Sequence, residues 1–383
     1  MTSQSTQIDD SHKINPLLDL PPRLLLGPGP TNVPPRVLQA MSAQPVGHLD
    51  PAFVQIMDEI QELLRYLWQS DNELTIPISG TGSAAMEASV ANPVEPGDIV
   101  LVAINGYFGQ RLAEMARRYG ADVRCLEKAW GEVFTVDELR AGLEEHRPAI
   151  LALVQGETST GARQALEEIG PLCREFDCLL LVDAVASLGG VPFLMDEWQI
   201  DIAYSGSQKC LSCPPGLSPL SLGPRALEKI ERREGAVPNW YLDVTLLRRY
   251  WGRARAYHHT APVNLNYALH EGLRLIAEEG LSARWQRHQE SAELLWDGLA
   301  GLGLACHVPR ENRLASLTTV RVPEGVDPKA VTRTLLEKHN IEIANGLGEL
   351  AGKVWRVGLM GYNSRPDNVY RLLAALESVL GEG

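Results

Sequence analysis

Cysteine is scarce in this chain: six in 383 residues, at Cys125, Cys173, Cys178, Cys210, Cys213 and Cys306. Such thin spacing excludes a disulfide scaffold. One pair has motif spacing, Cys210-Leu211-Ser212-Cys213. A zinc site would need a second ligand pair, and none follows at usable spacing. A thioredoxin-like site would need the pair at a helix N-terminus after a strand. Structural thiols are the plainer reading. Long apolar runs are also missing; none approaches 18 residues, so no membrane-spanning helix is expected. Basic residues are outnumbered, 35 Lys and Arg against 48 Asp and Glu, for a net charge of −13. That balance argues against the basic face a nucleic-acid binder needs. The polar stretch Met1–Lys13 has no apolar signal region, and Leu380–Gly383 ends in no peroxisomal or retention tripeptide, so a cytoplasmic location is the default expectation. There is neither an internal repeat nor a low-complexity segment. The glycine fingerprint of a dinucleotide-binding oxidoreductase is absent as well.

What is present is a β-α alternation. Candidate strands are Leu74–Ser79, Ile99–Ala103, Val123–Leu126, Ile150–Val154, Leu179–Val182, Ile202–Ser205 and Leu217–Leu222. Several are apolar throughout, as strands covered on both faces are. Helical segments fall between them at Ala84–Asn92, Gly109–Tyr119, Val136–His146 and Glu167–Phe176. Pro96-Gly97-Asp98 marks a turn before one strand, and Gly120 closes one helix. The pattern predicts an α/β fold with a mostly parallel sheet between helices. After about residue 264 it changes. Long helices (Tyr267–Glu279, Ala283–Leu302) lead to two strands, Ala315–Val322 and Lys353–Val357, and two helices, Lys329–His339 and Asp367–Leu380. The expected division is an arm over 1–22, a large domain over 23–280 and a smaller α/β domain over 281–383. The length of the chain suits two such domains.

Ligands of open α/β sheets bind at the carboxyl ends of the strands. Three polar signals fall there. Ser79-Gly80-Thr81-Gly82-Ser83 links a strand to a helix and can cradle a phosphate at the helix N-terminus; it can equally be an N-cap at a tight turn. It has no P-loop lysine. Asp183 ends the run Leu179-Leu180-Leu181-Val182, as a turn residue or as an electrostatic partner. Lys209, 26 residues further on, follows small polar residues, Ser205-Gly206-Ser207-Gln208, and precedes Pro214-Pro215-Gly216. A lysine and an acid after successive strands suit an aldehyde cofactor of the pyridoxal phosphate type. The amine forms a Schiff base, and the carboxylate keeps the pyridine nitrogen protonated. His258-His259 invites a metal reading, but neighbours on an extended segment point oppositely, which favours interface hydrogen bonding.

Five segments together resemble the class V pyridoxal-phosphate-dependent aminotransferases. They are Gly27-Pro28-Gly29-Pro30-Thr31, Asn105–Arg111, Val182–Gly190, Tyr204–Lys209 and Tyr257–Thr260. The likeness runs from about residue 22 to 380. It implies PLP fold type I, a homodimer with sites at the subunit interface, and amino transfer from a small amino acid, alanine or serine, to glyoxylate. It also implies roles. Lys209 would hold the cofactor covalently and Asp183 would pair with its ring nitrogen. Thr81, Gly82, Ser83 and Gln208 would bind its phosphate, and Phe108 would cover its ring. Thr158 would reach the ring hydroxyl. Tyr257 and Thr260 would reach the phosphate of the neighbouring subunit's cofactor. Arg356 would clamp the substrate carboxylate, as a guanidinium's parallel donors do. Two positions depart from the animal-type pattern: Phe108 stands where a tryptophan is frequent, and Ser83 where a histidine is. With one clear clamp, small monoacids are favoured over glutamate or aspartate, unless Arg36 or Arg111 supplies a second. The rivals are a desulfurase or lyase on the same fold, which needs a mobile-loop cysteine, and a non-catalytic relative.

Overall fold

Seven strands make the central sheet of this computed structural model, which describes residues 20–381. They are β1 (Leu74–Ser79), β2 (Ile99–Ile104), β3 (Asp122–Glu127), β4 (Ile150–Val154), β5 (Leu179–Asp183), β6 (Ile202–Tyr204) and β7 (Leu217–Leu222). Across the sheet the order is β3-β2-β4-β5-β6-β7-β1. Only β7 is antiparallel to its neighbours; the other six strands share one direction. Their carboxyl ends therefore meet along one edge. The apolar runs explain the arrangement: every residue of β4, β5 and β7 is buried, because helices cover both faces. The arm expected over 1–22 lies outside the described residues except for Leu20–Pro22. No helix of the described residues is long and apolar enough to cross a membrane.

Some elements were not anticipated by the strand-and-helix pattern. The helix Pro51–Trp68 starts where Asp50 accepts a hydrogen bond from the Ala52 N–H and Pro51 takes a first-turn position that needs no donor. It buries Phe53, Met57, Ile60, Leu64 and Leu67 along one face, against the helix Val263–Glu279. Each such side chain stabilises the fold by about 1.5–3 kcal/mol. Shorter helices at Pro224–Glu231 and Val244–Trp251 complete this side.

Beyond Gly280, whose φ of 80° breaks the chain between two helices, a second apolar cluster forms. Leu295, Leu299, Val320, Leu335, Trp355, Val357 and Leu372 belong to it. Its sheet pairs Leu317–Arg321 with Val354–Gly358, and the latter with Ala344–Asn345. Leu24–Leu25 pairs with Ile341–Glu342, and Leu26 packs in this second cluster. A third cluster, including Ala186, Cys210, Trp296, Leu314 and Met360, joins the two. The segment around Lys209 is thus wedged between both cores.

Candidate active site

Lys209 lies in the turn after β6, braced by tight bonds. Cys213 N–H donates to the Ser207 carbonyl (2.9 Å), Ser212 N–H to the Lys209 carbonyl (2.9 Å), and the Ser207 hydroxyl to the Pro214 carbonyl (2.6 Å). The lysine side chain is buried, and its Nζ donates to the Pro28 carbonyl. The loop Gly27–Thr31 therefore lies directly on it. Gly29 has φ 99°, and a Cβ there would stand 2.6 Å from the Lys209 Cδ, so only glycine fits. Burial lowers the amine's pKa to about 8; the Arg356 charge adds to this and Asp183 opposes it.

Asp183 is fully inside. Its Oδ1 accepts from the Val185 N–H (2.8 Å) and its Oδ2 from the Tyr204 hydroxyl (2.6 Å). Burial raises its pKa to about 6 against those two bonds. Tyr204 ends β6 one strand away, and Asp183 and Tyr204 are paired in register. A second buried acid, Glu157, follows β4; burial lifts it to about 7.

Thr81 is the N-cap of the helix Gly82–Ala91, yet its side chain makes no capping bond. Thr81 and Ser83 are exposed there. The turn is therefore not closed by its own side chain, which favours the anion cradle over the simple cap. The Gln208 amide has a buried oxygen with no partner. Phe108 is half-buried, and the Arg111 guanidinium sits 5.0 Å from its ring centre and 3.4 Å from the Ser83 hydroxyl. Thr158 is buried in the turn after β4. Its carbonyl accepts from Arg356 Nη1 at 3.5 Å, while Arg356 Nε donates to the Asn345 carbonyl at 3.0 Å. Among the described residues no carboxylate ion-pairs with Lys209 or Arg356. Lys209, Asp183, Thr158 and Arg356 are thus gathered, with the Thr81–Ser83 turn, Phe108 and Gln208 on the same edge.

Tyr257 and Thr260 stand apart from this group. Both are exposed, and the Tyr257 ring lies 5.5 Å from that of His48. The expectation that His258 and His259 point oppositely fails. Their Nδ1 atoms lie 2.9 Å apart, because the segment bends at this point to set the His258 ring flat against Trp240 while His259 Nε2 meets the Ser79 hydroxyl at 2.7 Å. Burial lowers the His259 pKa to about 4, and the neighbouring imidazoles add to this, so His259 is neutral near pH 7. Cys210 and Cys213 are free and buried, with thiols directed to the Ala186 and Ala268 carbonyls. Burial pushes Cys213 up to about 12. Neither is a reactive or metal-binding thiol. Arg36 is consumed by Glu271 (2.6 Å) and Glu278 (2.7 Å) and cannot serve as a second clamp.

Tyr204 lay inside a segment already singled out and Glu157 beside Thr158, but neither carried an assigned part. The signal was the one that marked Asp183: a polar side chain where a buried parallel strand ends.

A lysine and a carboxylate buried at the carboxyl edge of a mostly parallel sheet, with a smaller α/β unit bringing an arginine over them, define an α/β transferase architecture. The family model "Aminotransferase class-V" matches residues 23–370, and the chain belongs to that family. It is 47% identical to an alanine–glyoxylate aminotransferase of Callithrix jacchus, over 95% of this chain and 89% of that one. It is 43% identical to an (S)-ureidoglycine–glyoxylate transaminase of Bacillus subtilis, over 94% and 91%. A crystal structure of an alanine–glyoxylate aminotransferase from Nostoc sp. superposes with a TM-score of 0.96 at 63% identity, covering 98% of this chain and all of that one.

Proposed function

We propose that this transaminase uses pyridoxal phosphate to move an amino group from a small amino acid, alanine or serine, to glyoxylate, as a homodimer. The observation that carries the reading is Lys209, a buried amine without an acid partner, on the same strand edge as the buried Asp183. The residues fit the cofactor: an uncapped helix N-terminus for the phosphate and a buried carboxylate for the ring nitrogen are the polar features it would engage.

When bound, pyridoxal phosphate supplies an electron sink for the substrate's α-carbon. The chain's residues bind, orient and move the proton. Lys209 Nζ would hold the cofactor and, once released, take the α-proton and return it; a pKa near 8 suits both tasks. Asp183 would keep the ring nitrogen protonated, a charge-assisted bond contributing on the order of 1.5–3 kcal/mol. Thr81, Gly82, Ser83 and Gln208 would take the phosphate, Phe108 the ring face and Thr158 the ring hydroxyl. Arg356 would fix the substrate carboxylate. Tyr257 and Thr260, being exposed, would serve the second subunit's phosphate. On this reading residues 23–280 form the cofactor-binding unit and 281–383 the smaller unit that carries Arg356.

Both named relatives act on glyoxylate by name, while their donors differ. Glyoxylate is therefore the firmer half of the reading. With Arg36 paired elsewhere and Arg111 turned to the Ser83 hydroxyl and the Phe108 ring, a donor with one carboxylate is favoured. A desulfurase reading finds no loop thiol beside Lys209: Cys210 and Cys213 are buried, Cys125 lies within β3 and Cys306 bridges Val320. The deciding experiment measures alanine, serine and glutamate, each against glyoxylate, pyruvate and 2-oxoglutarate. Alanine or serine with glyoxylate should give the highest kcat/KM. Faster reaction with glutamate would refute the small-donor assignment.

A further inference from the structure

The helix Tyr107–Arg118, which carries Phe108, has no cap of its own. Its N-cap is Gly106, and the preceding Asn105 side chain instead donates to the Glu132 carbonyl. The first N–H groups of this helix are taken by side chains from the turn after β4. Glu157 Oε2 accepts from Phe108 N–H (3.0 Å) and Gly109 N–H (3.3 Å). The Ser159 hydroxyl accepts from Tyr107 N–H (3.0 Å) and donates to Glu157 Oε1 (2.6 Å). Ser159 N–H donates to the same oxygen (3.0 Å). Residue 106 is glycine for want of space: a Cβ there would lie 2.3 Å from the Glu157 Cγ and 2.6 Å from the Ser159 Oγ.

Resting on the cofactor reading above, we propose that Glu157 is a positioning residue of the cofactor site. Its carboxylate ties the turn that carries Thr158 to the helix that carries Phe108, so that the ring-covering phenyl and the hydroxyl are held at a fixed separation.

A local cap would satisfy the helix more cheaply. A serine or aspartate next to the helix does so at the surface, without desolvating a charge. Here a wholly buried carboxylate reaches across from another strand, and among the described residues it has no ion-pair partner. Four donors and the helix dipole oppose the burial that lifts its pKa to about 7. What this arrangement adds over a local cap is the link between the two loops. The amide of glutamine cannot replace it, because an NH2 would face one of the donor pairs. The link also reaches the clamp: Arg356 bonds the Thr158 carbonyl within the same turn and feels the Glu157 charge.

The test uses wild type, Glu157→Gln and Ser159→Ala, freed of cofactor and titrated with pyridoxal phosphate. Visible absorbance gives the affinity, and visible circular dichroism per bound cofactor reports how the ring is held. Glu157→Gln should bind tenfold or more weakly with a changed dichroic band. Ser159→Ala, which keeps the carboxylate, should show a smaller change of the same sign. Wild-type affinity and an unchanged band in folded Glu157→Gln would overturn the proposal. If that variant does not fold, an unaltered Ser159→Ala overturns it. Wild type that takes up no pyridoxal phosphate would sink the underlying reading as well, whereas normal uptake by all three proteins sinks only the part given to Glu157.

Discussion

Two charged regions lie at opposite ends of the sheet, and they are built on opposite terms. At the amino end, by Leu74, a cleft of about 1170 Å³ is lined by Asp58, Arg65, Glu73, Arg248 and Arg255. Much of its charge is matched. Arg248 holds Glu73 at 3.1 Å and Glu231 at 3.0 Å, Arg255 holds Asp58, and Arg65 donates to the Asn72 carbonyl at 3.1 Å. At the carboxyl end, Lys209, Arg356, Asp183 and Glu157 are buried or half-buried and form no ion pair among the described residues. Their partners are carbonyls, N–H groups and a phenol. The open cleft is the one whose charges are largely paired. Burying a charge is costly unless something compensates it. Charges kept unpaired inside the fold therefore mark the chemistry better than open volume does.

The contrast can be broken by mutation at either end. The largest effect expected is at Lys209: Lys209→Ala should abolish turnover and the visible band of the attached cofactor. Retained activity would remove the amine from its assigned part. A smaller effect concerns pH. The Asp183 carboxyl is raised to about 6, so its folded form binds a proton that the unfolded chain has released. Its stabilising contribution is present below about pH 4 and is lost as pH rises through about 6. Urea titrations of cofactor-free wild type and Asp183→Asn should therefore show the wild type losing on the order of 2–3 kcal/mol relative to the variant between pH 4 and pH 7. A constant difference across that range would mean the carboxylate is compensated after all. The smallest effect belongs to the cleft. Arg248→Ala removes two exposed pairs and should cost about 0–1 kcal/mol in stability for each, with kcat/KM unchanged. A large loss of activity there would give the cleft a function.

The strand edge was legible because a parallel sheet covered on both faces demands apolar runs, and Leu179–Val182 followed by Asp183 shows where such a run stops. The run Ser205–Gln208 before Lys209 was legible for the same reason. The helix Pro51–Trp68 could have been read from Asp50-Pro51 and its apolar spacing, but it lies ahead of the first strand of the repeat. The histidine pair could not. Its geometry depends on a bend and on Trp240, 18 residues earlier. The uses of Arg36 and Arg356 were equally hidden, since one meets Glu271 and Glu278 on a distant helix while the other depends on the pairing of Val354–Gly358 with its neighbours.

Local residue order alone set the α/β alternation, the edge where polar groups collect, and the lysine and aspartate that dominate it. These follow from periodicity and from the direction in which a parallel strand must end. Tertiary packing decided which charges stay unpaired, why residues 29 and 106 must be glycine, and how Glu157 came to hold a helix that has no cap of its own. Those outcomes depend on distances between segments far apart along the chain, which exist only once the strands have taken their places.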